Sequence, residues 1–137
     1  MNSTTIPILR YRDAERAIAW LCKAFGFEVF LKVPGDNGRI EHARLILETN
    51  MIMLASIGRE GDIEGSFKPP ADVGGVTQSA LLVVSQPDQI SRTARSAGAK
   101  MISEIADSPF GGRLFTCTDI ESHVWTFSNG DPWAKTW

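Results

Sequence analysis

The chain has 137 residues, 43% of them apolar and 22% charged, with 12 Gly, 7 Pro and a formal net charge of −2. Those values suit a soluble globular domain and exclude a disordered, collagenous or coiled-coil chain, a disulfide scaffold and a strongly basic nucleic-acid binder. No apolar run is long enough to span a bilayer, and no basic region followed by a long apolar stretch marks a secretory signal. The two cysteines, Cys22 and Cys117, have no CxxC spacing and read as free thiols, so a cytoplasmic setting is expected.

In chain order, Ile6 to Tyr11 reads as a strand in which Pro7, lacking a ladder N–H, favours an edge. Asp13 offers an N-cap carboxylate. Ala14, Ala17, Ile18, Leu21, Cys22 and Phe25 then recur at helical spacing until Gly26, so a helix is predicted over Asp13 to Phe25. Phe27 to Val33 is rich in strand formers, and Pro34 to Gly38 is a turn signal. Ile40 to Leu47 and Met51 to Ala55 are the next strands, joined at Glu48 to Asn50. Residues 56–78 are rich in Gly and Pro and read as a long connecting loop, with Phe67 and Lys68 its bulky side chains for covering a pocket.

The pattern then returns. Ser79 to Ser85 is a strand. A helix starts at Pro87 with Asp88 in its acidic first turn, carries Ile90, Thr93, Ala94 and Ala97 on one face, and stops at Gly98. Lys100 to Ile105, Arg113 to Thr118 and His123 to Ser128 are strands, with Ser108 to Gly112 as a turn. The two halves align at an offset of about 72 residues, matching Ile18 with Ile90 and Gly26 with Gly98. The expectation is an α+β protein of two βαβββ modules, 6–55 and 79–128, separated by the 56–78 loop and followed by a 129–137 tail. Trp133 and Trp137 in that tail predict a packed or interface-bound C-terminus.

The segments Arg10-Tyr11-Arg12-Asp13-Ala14, Phe25-Gly26-Phe27-Glu28, Gly38 to Leu45, Pro109 to Arg113 and Ser122 to Phe127, in that order and spacing, resemble the vicinal-oxygen-chelate superfamily. That superfamily holds glyoxalases, bleomycin-resistance proteins and extradiol dioxygenases, and the resemblance is nearest to its PhnB-like branch. It implies curled mixed sheets around a cleft and a homodimer with composite or exchanged modules. It also implies four cleft positions at which metal-dependent members carry His or Glu. These fall here at Ile6, Met53, Ser79 and Thr126, which suit no hard or borderline divalent ion. No metal and no other cofactor is therefore expected.

Five residues are candidates for ligand contact. His42, in a strand, shares a face with Arg44 by period 2 and can bind an anion or transfer a proton. Arg113, after two glycines, can hold a carboxylate or phosphate bidentately, or pair with Asp119. Trp125 can stack a planar ligand or fill the core, Met53 can line an adaptable apolar cavity, and Phe67 can cover it. His123 is expected to fix the hairpin before Trp125. No catalytic residue emerges. The reading is a homodimer that binds a small organic molecule, with no nucleic-acid or membrane partner. A metal-dependent lyase, isomerase or dioxygenase, and a purely structural or protein-binding dimer, are the alternatives.

Overall fold

The computed structural model describes residues 4–59 and 61–135. Strand β1 (Ile8–Tyr11) is followed by helix α1 (Ala14–Phe25) and strands β2 (Glu28–Pro34), β3 (Ile40–Leu47) and β4 (Asn50–Ser56). After the short helix α2 (Pro70–Val73) come β5 (Ala80–Val83), α3 (Pro87–Ser96), β6 (Lys100–Asp107), β7 (Arg113–Thr118) and β8 (Val124–Ser128). The strands form two four-stranded mixed sheets, ordered β1-β4-β3-β2 and β5-β8-β7-β6. In each, the first strand lies parallel to the last and the others pair antiparallel, so neither sheet closes.

The first helix forms where its sequence signals stand. The Asp13 carboxylate accepts from the Arg16 amide, and Gly26 terminates the helix at φ +88° with its N–H on the Cys22 carbonyl. Its stripe of Ala17, Ile18, Leu21, Ala24 and Phe25 is buried against the sheets. α1 packs along α3: the Trp20 indole donates to the Ala97 carbonyl at 2.9 Å, and the Thr93 hydroxyl donates to the Ala24 carbonyl at 2.7 Å. The helix-bearing faces of both sheets thus share one core. Phe25 joins them, 5.5 Å from Trp125 and 4.7 Å from Phe127 between ring centres, and Phe115 stacks on Phe127 at 5.2 Å.

Residues 56–78 are more ordered than their composition suggests, since β4 runs through Ser56 and α2 forms within the stretch. The turn after β6 and the start of the tail approach so closely that both need glycine. A Cβ on Gly112, at φ +73°, would come within 2.5 Å of the Gly130 nitrogen. The tail itself is not packed on this chain as expected. Trp133 N–H caps on the Asp131 carboxylate, which fixes the backbone turn and leaves the side chain 88% exposed. Trp137 lies outside the described residues. Among the described residues no helix is long and apolar enough to cross a membrane.

Candidate functional site

The site follows from the alternation of β3. Ala43 and Leu45 point into the shared core, so His42, Arg44 and Ile46 point to the opposite face of the first sheet. Register then builds two rows across that face. One runs from Leu31 through Arg44 and Met53 to Ile8, and the next pairs Val33 with His42 and Ala55 with Arg10. Met53 and His42, both singled out in the sequence, therefore share one surface. Ile8, at its edge, is 55% exposed despite being apolar.

The polar end of this face is crowded with cations. Arg44 Nε–H donates to His42 Nε2 at 3.0 Å. Because an arginine Nε–H can only donate, His42 Nε2 must carry the lone pair, and its proton sits on Nδ1. Partial burial, then the charges of Arg44, Arg59 and Arg10, lower the His42 pKa below its ordinary 6.5. Arg10 is nearly enclosed. It grips Asp62 with Nε and Nη2 at 2.8 and 2.9 Å, and its guanidinium lies 4.3 Å from the centre of the Phe67 ring. Phe67 thus covers Arg10, and Asp62 and Phe67 tie the connecting segment to the first sheet. Those hydrogen bonds hold the Asp62 carboxyl below its usual 3.8.

A second polar centre joins the modules. The buried Asp119 carboxylate accepts from the Tyr11 hydroxyl at 2.6 Å, from Trp125 Nε1–H at 2.9 Å and from the Glu121 and His123 amides. His123 Nε2–H donates to the Arg10 carbonyl at 3.0 Å, and its ring lies 4.7 Å from that of Tyr11. The His123 ring therefore bridges the two modules, while its hairpin is held by the Asp119 carboxylate.

Arg113 does not make the pair with Asp119 that the sequence offered. It begins β7 on the face of Phe115 and Cys117, towards α3. There its guanidinium meets Asp88 at 2.8 Å and Asp107 at 3.2 Å, with no bond to Asp119. This places it apart from the surface that carries His42 and Met53. Trp125 is core, held by Phe25 and Asp119, and only its edge reaches a cavity.

That cavity, of about 530 Å³, lies where β1 approaches β5 and β8. Ile6, Ile8, Val124 and Trp125 line it, and Lys68, Val73 and Val76 of the connecting segment form its far wall. A neighbouring one of about 470 Å³ is lined by Ile6, Met51, Ser79 and Leu81. Ile6 and Ser79, two of the four positions that the sequence resemblance marks as metal-ligand positions, border both. Thr126, a third, is hydrogen-bonded to Thr116 between hydroxyls at 2.8 Å. A methyl, a thioether and two hydroxyls do not fit a divalent cation, and among the described residues no three His, Cys, Asp or Glu converge.

Burial also fixes an alkaline sensitivity. Burial first, then the Asp119 charge, raise the Tyr11 pKa well above its ordinary 10.0, and burial pushes the Cys117 thiol from 9.0 up to about 12. Both groups ionise more readily unfolded than folded. Their contribution is therefore full below the unfolded values and is lost as pH rises through the folded ones. The urea midpoint should hold from neutrality to about 9.0 and fall increasingly beyond 10.0, with Tyr11→Phe flattening the second part. A midpoint independent of pH through that range would refute the assignment.

Arg10, Arg44, Arg59 and Asp119 were not singled out by sequence as site residues. For Arg44 the signal was present, since period 2 places it beside His42. For Arg10 and Arg59, and for the Tyr11 bond of Asp119, it was not, because those partners are distant in the chain.

Two βαβββ sheets sharing one core, with cavities where their first strands meet, define the glyoxalase/bleomycin-resistance fold. The family model described as the Glyoxalase/Bleomycin resistance protein/Dioxygenase superfamily matches residues 2–127, and the chain belongs to that superfamily. It is 29% identical over 124 residues to the uncharacterized protein Rv0887c of Mycobacterium tuberculosis, covering 88% of this chain and 70% of that protein. Among solved structures, TioX from Micromonospora sp. ML1 is 27% identical with a TM-score of 0.71, covering 95% of this chain and all of the other. The fosfomycin resistance protein FosX from Listeria monocytogenes is 14% identical with a TM-score of 0.69, covering 96% of each chain. That protein has also been crystallised with Mn(II) and sulfate.

Proposed function

We propose that this protein binds a small organic molecule in the apolar cleft between its modules, without an obligatory metal. The observation that carries the reading is the cavity of about 530 Å³, within the size range of ligand pockets and walled by Ile6, Ile8, Val76 and Trp125. Met53 extends its apolar lining across the first sheet, His42 stands at the polar end, and the 68–76 segment acts as its cover. The donor set at Ile6, Met53, Ser79 and Thr126 supports binding without a metal. A homodimer is part of the proposal. Each module leaves apolar side chains open on the face away from the core, Leu31 and Val33 in one and Leu81 and Val83 in the other. The repeat lets a second copy offer one module's face to the other's across a twofold axis. The free thiols of Cys22 and Cys117 fit a cytoplasmic setting.

The neutral fluorophore N-phenyl-1-naphthylamine tests the cleft. Saturable binding at one site per chain is expected, weakened at least about tenfold by Ile8→Arg, which places a charge in the cavity wall without disturbing the core. No binding, or binding unchanged by Ile8→Arg, would refute the reading. Sedimentation equilibrium should report twice the chain mass.

A further inference from the structure

We propose that the His42–Arg44–Arg59 corner of the first sheet is an oxyanion site, so that the ligand of the cleft is an organic acid. The apolar half of this inference rests on the binding reading above; the anion half does not.

The corner offers more donors than its acceptors satisfy. Arg44 spends Nε–H on His42 Nε2, and its two terminal nitrogens have no partner among the described residues. His42 therefore presents Nδ1–H as a further donor. Arg59 Nε–H is shut off from solvent and has no hydrogen-bond partner. Glu41 forms an ion pair with it at 3.7 Å, too long for a hydrogen bond. The Asp62 carboxylate is consumed by the two-bonded grip of Arg10. Buried donors are normally satisfied, and an oxyanion satisfies several at once. Partial burial first, and then the positive field of Arg44, Arg59 and Arg10, disfavour protonation of His42, leaving a neutral donor beside the guanidinium groups.

The corner is within reach of the cleft. Arg44 pairs with Met53 and Met53 with Ile8, which lines the cavity. Two strand spacings separate Arg44 from Ile8, roughly 10 Å between Cα atoms. An amphipathic molecule can lay its apolar body over Met53 and Ile8 and present its acidic group to Arg44.

The test compares 1-naphthoate with 1-naphthamide, which share an apolar body and differ in charge, and follows His42 by NMR; the only other histidine is His123. Naphthoate should bind about tenfold more tightly than naphthamide, and Arg44→Gln and Arg59→Gln should each bring the ratio towards unity while leaving naphthamide binding in place. Naphthoate should raise the His42 titration midpoint, and naphthamide should not. Equal affinities, a preference that survives both substitutions, or an unmoved His42 would overturn the proposal. If neither compound binds, sulfate at constant ionic strength separates the two ideas. A raised His42 midpoint keeps the anion site and refutes the cleft reading, and an unmoved one refutes both.

Discussion

Replacing Asp119 by alanine is expected to lower the unfolding free energy by roughly 4 kcal/mol. The carboxylate is 5% exposed yet fully satisfied, by the Tyr11 hydroxyl, the Trp125 indole N–H and two backbone amides. Alanine would strand the Tyr11 and Trp125 donors in the core and loosen the turn before β8. Those two side chains come from different modules, so the loss falls on the joint between them. At about 4 °C per kcal/mol for a domain of this size, the melting temperature should drop by roughly 15 °C. Asp119→Asn keeps one acceptor oxygen but brings an amide against the same donors, and should cost about half as much. Urea denaturation of the three proteins checks the order. A loss below about 1 kcal/mol for the alanine variant would mean that the four bonds are replaced by water.

How much of this could be read beforehand depends on whether a feature is local. The α1 stripe, its Asp13 cap and its Gly26 stop are set by spacing within one element, and all three stand as read. The face shared by His42 and Arg44 follows from alternation in β3 alone. The Tyr11–Asp119 bond joins residues 108 positions apart, and Arg10 to Asp62 spans 52. No periodicity connects such pairs; only the docking of the second module, for Tyr11, and of the connecting segment, for Arg10, does. Arg113 shows the opposite failure. Asp119 was the acid close to it in sequence, but the strand alternation that puts Phe115 and Cys117 in the core also turns Arg113 towards α3 and Asp88. For Trp125 the sequence left stacking on a ligand and filling the core both open; alternation with the buried Phe127 places the indole in the core, and it also borders the cavity.

Asp62→Ala should cost about 3 kcal/mol and free the segment that walls the cleft. Arg10 is the reason: its side chain is only 4% exposed, and Asp62 supplies both oxygens that neutralise it. Without them a guanidinium stays enclosed beside Arg59 and His42, with only the Leu9 carbonyl and the Phe67 ring for company. The segment should then lift to let water reach the charge. Trypsin cutting after Arg59 should accelerate more than the global loss of stability explains, because the opening is local. Adding Arg10→Met removes the stranded charge and keeps much of its volume, so the double variant should recover at least half of the lost stability. Additive losses would show instead that the segment is held by its other contacts. The outcome bears on function through pre-organisation. A segment locked by the chain's own ion pair is in place before any ligand arrives, so binding need not supply the entropy of ordering it.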